Sequence, residues 1–246
     1  MKAVAVRAST AEAERIRAEY ARREGIHPPD FYSLTRPANL FAQQQRDRHM
    51  VDVLRREKLL PLSGQRILDI GCGDGQQLLR FESWGAAIAA LSGIDLVETR
   101  VARAVERFGG TSQPGRPELR VGDASALPWP DGHFDIVHQS TVFTSILDSP
   151  MKAAVAAEML RVLRPGGAVI WYDFFVDNPA NPHVRGVGAT ELRSLFPGCH
   201  VRTRRITLAP PISRRLVPVS WIASLLLEHL RVLNTHYLAV IRRPVL

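Results

Sequence analysis

The most informative run of this sequence is Ile67-Leu68-Asp69-Ile70-Gly71-Cys72-Gly73-Asp74-Gly75. An apolar run that contains an acid is followed by glycine at every second position. This pattern is typical of a buried parallel strand that leads through a tight turn into a helix, where missing Cβ atoms let a ligand approach the backbone. The NAD fingerprint G-x-G-x-x-G is not matched, because the third glycine comes one residue early. No Gly-Lys-Ser/Thr follows, which excludes a phosphate-cradling P-loop. The run predicts a nucleotide-like ligand above the strand.

A single acid ends the next predicted strand. The chain reads as a helix over 75–84 and then as a strand ending at Gly93-Ile94-Asp95-Leu96, so that Asp95 lies 24 residues after Gly71. In nucleotide-binding α/β folds an acid here accepts both ribose hydroxyls, because a carboxylate has two oxygens and a diol has two donors. An isolated Asp after a strand is otherwise a turn or cap residue. The glycine turn at the matching distance favours the ribose interpretation.

Three further segments follow in order. They are Val121-Gly122-Asp123-Ala124-Ser125-Ala126-Leu127-Pro128, the strand-like residues 134–139, and residues 158–170 with a Pro-Gly-Gly turn before an apolar strand. With the glycine run and Asp95, these segments resemble the class I S-adenosylmethionine-dependent methyltransferases, close to the small-molecule group that includes the ubiquinone/menaquinone methyltransferases. The resemblance covers roughly residues 60–175 strongly and the remainder loosely.

The resemblance implies an α/β fold of the Rossmann-like type. We expect a doubly wound, mostly parallel seven-stranded sheet with an antiparallel last strand and helices on both faces. Residues 61–246 would form the methyltransferase domain as a single globular unit, and residues 1–60 an N-terminal helical lid or extension. Within this extension, Tyr20, Phe31 and Tyr32 are candidates for covering the methyl group. The alternative for the extension is ordinary helix packing on the sheet edge.

The resemblance also implies S-adenosylmethionine as cofactor and S-adenosylhomocysteine as product. Asp123 would accept from the adenine amine, the Ala124 backbone would meet a ring nitrogen, and Asp69 would meet the ammonium group directly or through water. The residues predicted to bind the cofactor are Asp69, Gly71, Cys72, Gly73, Asp95, Leu96, Asp123, Ala124 and Gln139. This cofactor has no phosphate, so the site needs acceptors rather than a lysine, and acids at the carboxyl ends of three neighbouring strands supply them.

Methyl transfer to a hydroxyl needs an aligned nucleophile and benefits from a general base. Asp173, at the end of the predicted fifth strand, and His183, in the following loop, are the catalytic candidates, with His138 and Tyr172 as alternatives. Gln139-Ser140-Thr141-Val142 replaces the Asn/Asp-Pro-Pro-aromatic motif of enzymes that methylate exocyclic amines. No metal site is predicted, because no carboxylate cluster is evident and the two cysteines show no Cys-x-x-Cys spacing.

The net charge of +8 is concentrated in the last quarter of the chain. Residues 185–246 contain ten arginines and two glutamates, whereas the preceding residues are neutral overall. An anionic substrate, an anionic lipid surface or nucleic acid would each exploit such an excess, and the remaining interpretation is a solvated face. Nucleic acid is disfavoured, because no RNA-binding module is evident.

An apolar run occupies residues 216–227, within a largely apolar stretch over 216–233. The run is too short to span a bilayer and predicts a buried helix. The alternatives are a peripheral membrane contact with an exposed Trp221, or a channel for a lipid-like substrate. The apolar run at the first residues is too short and too interrupted for a signal peptide. A cytoplasmic location is therefore expected.

Together these features predict methyl transfer from S-adenosylmethionine to a small molecule by in-line displacement. The acceptor would be a hydroxyl or a ring carbon, on a glycan, a lipid-linked compound or a secondary metabolite, and an anionic or lipid-linked acceptor suits the basic region. The alternatives are an RNA methyltransferase that uses the basic C-terminal region and a non-catalytic S-adenosylmethionine-binding protein. The oligomeric state is left open.

Overall fold

The computed structural model describes residues 2–26, 28, 30–110, 115–179 and 181–245, with side chains from residue 11 onward. In these residues seven strands form one sheet in the order β3-β2-β1-β4-β5-β7-β6. Strand β7 is antiparallel to both neighbours, and the other paired strands are parallel. The strands are β1 Ile67–Ile70, β2 Leu91–Asp95, β3 Glu118–Val121, β4 Phe134–Ser140, β5 Leu163–Phe174, β6 His200–Leu208 and β7 Asn234–Arg242. The predicted seven-stranded sheet with an antiparallel last strand is confirmed.

Helices cover both faces of the sheet. One apolar cluster joins α2 and α3 to one face, and a second joins α1, α5 and α6 to the other. The helices are α1 Lys2–Ile26, α2 Pro37–Arg56, α3 Gln76–Ser83, α4 Glu98–Arg107, α5 Ser149–Val162, α6 Ala189–Leu195, α7 Pro210–Leu216 and α8 Trp221–Leu230. Helices separate β1 from β2, β2 from β3 and β4 from β5. Strands β1 and β2 are buried throughout and β4 and β5 over most of their length, as expected for a sheet between two helical layers.

The strand order places a crevice above the centre of the sheet. Strand β1 lies between β2 and β4, and the chain winds outward from β1 in one direction through β2 and β3 and in the other through β4 and β5. The helices that follow β1 and β4 therefore pack on opposite faces of the sheet, and open α/β sheets bind ligands at the carboxyl ends of such strands. The glycine run follows β1 and lies beside this crevice.

The last quarter of the chain differs from the sequence predictions. The apolar run 216–227 does not form one helix, because Pro218 lies between two helices, α7 and α8, which are inserted between β6 and β7. The prediction that this run is buried is also wrong in part, since Ile222 and Leu226 lie on the exposed side of α8. Among the described residues, no helix is both long and apolar enough to cross a membrane.

Candidate active site

The glycine loop is tied to the end of β2 through its backbone. The amides of Gly71 and Cys72 both donate to the Ile94 carbonyl, at 2.8 and 3.1 Å. Gly71 has φ +67°, and a Cβ there would lie 2.5 Å from Val142 Cγ2. Because the loop after β4 approaches so closely, only glycine fits at this position. The sequence pattern therefore reflects two requirements, a left-handed backbone and a tight contact between the two loops.

Gly75 closes the same turn against α4. It has φ +81° and precedes α3, and a Cβ there would lie 3.0 Å from Phe108 Cε2 and 3.3 Å from the Ala104 Cβ. The third glycine of the run thus lets α3 begin close to α4, although it stands one residue earlier than in the NAD fingerprint. Gly73 is different, since a Cβ there would meet only Arg100, at 3.8 Å. The Gly73 backbone therefore faces open space, as a ligand-binding turn requires.

Asp95 links the glycine loop to the start of the next helix. One carboxylate oxygen accepts from the Gly73 amide at 2.9 Å, and the other accepts from the Val97 amide at 2.8 Å. Burial raises the pKa of this carboxyl above its ordinary value, and the two amides oppose that shift. A carboxylate has about four lone-pair sites, so two further donors can be accepted. The geometry leaves Asp95 able to hold a diol beside the glycine loop.

Asp69 lies deeper than the sequence suggested. Its Oδ1 is 2.7 Å from Nδ1 of His138, which is its neighbour across β1 and β4, and both side chains are buried. The His138 ring also packs edge-on against Phe81 of α3. Asp69 therefore orients a histidine beneath the loop. Whether it also meets the ammonium group of the cofactor stays a prediction.

The third acidic segment forms a compact turn after β3. Asp123 Oδ1 accepts from the Ser125 amide at 2.8 Å, and the Asp123 carbonyl accepts from Ala126. Glu158 of α5 accepts from the Leu127 amide at 2.7 Å and fixes the far side of the turn. Ala124 is half-buried and packs against the apolar cluster of α5. The turn lies beyond the carboxyl end of β3, next to the strand that carries Asp95.

The turn after β4 is held from inside the protein. Gln139 is fully buried, with its Oε1 accepting from the Val142 amide at 3.0 Å and its Nε2 donating to the Tyr172 carbonyl at 3.4 Å. Thr141 has φ +57° and its amide donates to the same carbonyl at 2.8 Å. The Gln139 side chain thus shapes the turn that covers Gly71, and its predicted contact with the cofactor stays a prediction.

Asp173 accepts four hydrogen bonds inside the protein. Its carboxylate accepts from the amides of Phe143 at 3.0 Å, Thr144 at 3.2 Å and Phe174 at 3.0 Å, and from the Thr144 hydroxyl at 2.6 Å. Burial raises its pKa to about 6, and the hydrogen bonds oppose that rise. The carboxylate is fully buried and directed at the turn after β4. These contacts favour a role in holding the turn over the predicted role as a general base.

His183 lies in the loop after β5, against helix α1. Its Nε2 is 3.7 Å from Oε2 of Glu19, and its side chain is 44% exposed. The loop is anchored to the turn after β4 by the Arg185 amide, which donates to the Thr144 carbonyl at 2.9 Å. The structure thus brings His183 to the β4–β5 edge of the crevice, whereas Asp173 lies beneath that edge.

Helix α1 crosses the crevice and contacts both of its sides. Glu12 accepts from the Leu147 amide, and Arg15 donates to the Ser145 carbonyl, both beyond β4. On the other side, Arg17 donates to the Leu96 carbonyl at 3.2 Å, just beyond β2. The sequence suggested a lid but not these contacts. The signal was the alternation of Glu and Arg along α1, which also fits an ordinary solvated helix.

Tyr20 of α1 stacks beneath the Arg100 guanidinium where α1 crosses the crevice. The Arg100 guanidinium is 4.4 Å from the ring centroid of Tyr20, and the tyrosine hydroxyl is 3.4 Å from Ser145 Oγ. The other aromatic candidates lie elsewhere: Phe31 and Tyr32 contact each other, and the Arg214 guanidinium lies 5.1 Å from the Phe31 ring. Of the three aromatic side chains predicted for the lid, Tyr20 is the one that reaches the turn after β4.

The central part of the chain matches a known domain family. Residues 67–167 match the methyltransferase domain family. We call residues 67–167 the methyltransferase segment. The methyltransferase segment includes the glycine loop, Asp95, Asp123 and Gln139, and it ends before Asp173 and His183.

The relatives act on small molecules. The chain is 37% identical over 124 residues to the 27-O-demethylrifamycin SV methyltransferase of Amycolatopsis mediterranei, covering 50% of this chain and 44% of that protein. It is 31% identical over 111 residues to the ubiquinone/menaquinone biosynthesis C-methyltransferase UbiE of Geobacter sulfurreducens, covering 45% and 42%. This chain thus matches less than half the length of these relatives. The solved structure of the [4+2]-cyclase SpnF is similar with 25% identity and a TM-score of 0.59, covering 82% of this chain and 83% of that one.

The residues of the methyltransferase segment fit the cofactor of this family. Asp95 has acceptor capacity left for a diol, and the Gly73 backbone faces open space beside it. The acids Asp69, Asp95 and Asp123, at or just beyond the carboxyl ends of β1, β2 and β3, suit a ligand that carries positive charge and no phosphate. Among the described residues, no group of three or more His, Cys, Asp or Glu is arranged to hold a metal ion.

Proposed function

We propose that this chain transfers a methyl group from S-adenosylmethionine to a hydroxyl oxygen or a ring carbon of a small molecule. The observation that carries the proposal is the position of Asp95, bonded to the Gly73 amide at the point where the sheet order reverses. When bound, the cofactor supplies an electrophilic methyl group on a sulfonium. Asp95, Asp123, the Leu96 backbone and the Gly71–Gly73 backbone are the groups that would hold it.

Helix α1 supports the proposal because it would exclude water from the reacting atoms. It contacts the loop after β2 through Arg17 and the loop after β4 through Glu12 and Arg15. A closed site strengthens electrostatic interactions and prevents hydrolysis. The chain would thus use its first 60 residues as the lid that the sequence suggested, with Tyr20 over the turn after β4.

His183 is the residue that we propose as the general base for a hydroxyl acceptor. It lies at the β4–β5 edge, partly exposed, and Glu19 lies close enough to orient its ring. Asp173 would position the turn after β4 by accepting from the Thr144 amide. The loop that carries His183 is attached to this turn, because the Arg185 amide donates to the Thr144 carbonyl. We expect His183→Ala to lower kcat by roughly 10²-fold, in the range of general-base contributions, without changing the dissociation constant of the cofactor.

The decisive experiment has two stages. Calorimetry first measures the binding of S-adenosylmethionine and S-adenosylhomocysteine to the native chain and to Asp95→Ala. Labelled S-adenosylmethionine is then incubated with an extract of the source cells, which is separated into organic and aqueous phases. Label in the organic phase would support a lipid-linked or quinone-like acceptor. Aqueous label that resists nuclease would support a sugar or metabolite. Failure to bind the cofactor would contradict the proposal.

An RNA acceptor is the weaker alternative, because three of the ten arginines in residues 185–246 pair with acids of the same chain. Arg202 and Arg242 pair with Glu57, and Arg204 pairs with Asp52, all on or next to α2. Arginines that neutralise acids of the same chain contribute little to a phosphate-binding surface. Transfer of label to nuclease-sensitive material would overturn this argument.

Cofactor binding without methyl transfer is a second candidate. Two observations favour it: the Asp173 carboxylate is fully engaged in the turn, and the structurally similar SpnF is a [4+2]-cyclase. Normal cofactor affinity together with no label in either phase would support this candidate over methyl transfer.

A further inference from the structure

Helix α8 presents two of its polar residues to the protein and three of its apolar residues to solvent. Ser224 and Glu228 are buried, whereas Ile222, Leu226 and Leu230 are 72%, 63% and 66% exposed. These three side chains are four residues apart and therefore line one stripe along the helix. A helix on the surface of a globular protein normally has the opposite orientation. Burial of the exposed stripe against an apolar environment outside the chain would therefore be favourable.

The orientation of α8 is fixed by contacts on its inner side. Glu228 Oε1 accepts from the Thr207 amide at 3.2 Å, and the Glu228 carbonyl accepts from Asn234 Nδ2 at 2.9 Å. Trp221 is half-buried and packs edge-on against Phe41 of α2, with ring centroids 5.1 Å apart. A rotation that buried the stripe would break these contacts. The exposed Trp221 considered as an alternative is therefore not found, because its ring anchors the helix.

The stripe continues into the turns on both sides of α8. Val219 before the helix is 83% exposed and Val232 after it is 77% exposed. We call the five side chains Val219, Ile222, Leu226, Leu230 and Val232 the apolar ridge. Isolated exposed apolar side chains are normal, but a contiguous row of this kind marks an interaction surface.

The surroundings of the ridge are basic. Arg214, Arg215 and Arg231 are exposed, and between residues 209 and 233 the single acid is the buried Glu228. Within the described part of the chain, the ion pairs found do not include any of these three arginines. A cavity of about 10 Å³ at the carboxyl end of α8 is lined by Arg48, His49, Arg204, Arg205, Glu228, His229 and Arg231. Because arginines crowd this cavity, it adds to the positive potential at that end of the ridge.

We propose that the apolar ridge docks on an anionic lipid bilayer, with α8 lying in the plane of the interface. Apolar side chains enter the acyl boundary, and the flanking arginines contact anionic headgroups. The ten residues of α8 extend about 15 Å, which is half the thickness of a hydrocarbon core, so the helix lies on the membrane and does not span it. A second copy of the chain is a poorer occupant, since pairing two ridges would bring arginine against arginine. This proposal rests on the surface alone and would survive failure of the methyltransferase assay.

The test is co-sedimentation of the native full chain with vesicles. We expect binding to phosphatidylcholine vesicles that contain phosphatidylglycerol, weak binding to pure phosphatidylcholine, and a loss of binding at high salt, where the arginines are screened. The combined change Ile222→Ser, Leu226→Ser and Leu230→Ser should lower the partition coefficient at least roughly tenfold. Arg214→Glu with Arg215→Glu should lower it by a similar factor or more, at roughly fivefold for each arginine lost.

Matched variants separate this surface from general effects. Val121→Ser removes an exposed apolar side chain from β3, and Arg193→Glu changes an exposed arginine on α6; both should bind vesicles as the native chain does. If the triple serine variant does not fold, Val219→Ser with Val232→Ser tests the ridge outside the helix. Equal binding to neutral and anionic vesicles, no binding by the native chain, or unchanged binding by the folded ridge variants would overturn the proposal. So would a native dimer in sedimentation velocity that the ridge variant converts to a monomer.

Discussion

Replacing Asp95 with alanine tests the central feature of the site. Its carboxylate accepts from the amides of Gly73 and Val97, at 2.9 and 2.8 Å, and in the proposed complex it also accepts from a diol. The change therefore removes an internal clamp and a ligand acceptor together. These two losses have different readouts, because the clamp affects the free protein and the acceptor affects only the complex.

The magnitudes follow from the contacts. Hydrogen bonds to a charged group contribute roughly 1.5–3 kcal/mol each, and two such bonds are lost from the folded state. The cost of burying the carboxylate, which also raises the pKa of Asp95, is removed at the same time and offsets part of this loss. We expect a net decrease of about 1–3 kcal/mol in the free energy of unfolding. Loss of the diol contact should weaken cofactor binding by another ~1–3 kcal/mol, or roughly 5–150-fold.

The assays are denaturant unfolding of the free protein and calorimetric titration with S-adenosylhomocysteine. Asp95→Asn keeps one acceptor oxygen and should give an intermediate affinity with less loss of stability. Asp74→Ala is the matched control, since Asp74 belongs to the same loop but is partly exposed and pairs with Arg107 at 2.9 Å. An unchanged dissociation constant in a folded Asp95→Ala variant would refute the assignment of Asp95 to the cofactor site. Equal weakening by Asp74→Ala would show that loop charge alone is responsible.

Three further changes test the lid, the glycine turn and the buried carboxylate. Glu12→Ala removes the acceptor that anchors α1 to the turn after β4. Hydrogen exchange in α1 should accelerate, and the free energy of unfolding should fall by about 1–3 kcal/mol. The control Glu14→Ala, at an exposed position of the same helix, should change neither quantity. Gly75→Ala places a Cβ 3.0 Å from Phe108 Cε2 on a backbone with φ +81°, and it should lower the free energy of unfolding by roughly 1–3 kcal/mol. The control Gly188→Ala has φ −71° and no atom within 4 Å of the new Cβ, so it should be nearly neutral in thermal unfolding. The pKa of Asp173 is raised from 3.8 to about 6 in the folded state. Its contribution to stability is therefore present below pH 3.8 and is lost as the pH rises through 6. Asp173→Asn should remove this pH dependence, roughly 3 kcal/mol, from the unfolding curves.

Each of these results has a clear opposite. Unchanged exchange in α1 after Glu12→Ala would mean that the lid is held by its apolar contacts alone. Equal effects of the alanines at 75 and 188 would show that close packing at the glycine run is unimportant. A pH profile of Asp173→Asn that parallels the native profile between pH 4 and 6 would mean that Asp173 does not titrate in that range.

The sequence predicted the parallel part of the fold because each signal there is local. The strands β1, β4 and β5 are rich in apolar residues and largely buried, and the glycine run between β1 and α3 requires backbone conformations that few other residues adopt. Where apolar pattern and burial disagree, the prediction failed. The run that contains Leu226 has the composition of a core helix, and only its attachment through Glu228 and Trp221 shows that part of it faces outward.

The candidate site divides in the same way. The glycine run and Asp95 by themselves indicated a strand-end site for a nucleotide-like ligand, because such ligands bind at the carboxyl ends of parallel strands, and the family resemblance added Asp69 and Asp123. Tertiary structure alone decided what each carboxylate touches. Asp69 meets His138, which is 69 residues away, and Asp173 meets Thr144, which is 29 residues away. Such contacts depend on strand register and loop approach, and no local pattern of residues encodes either of them.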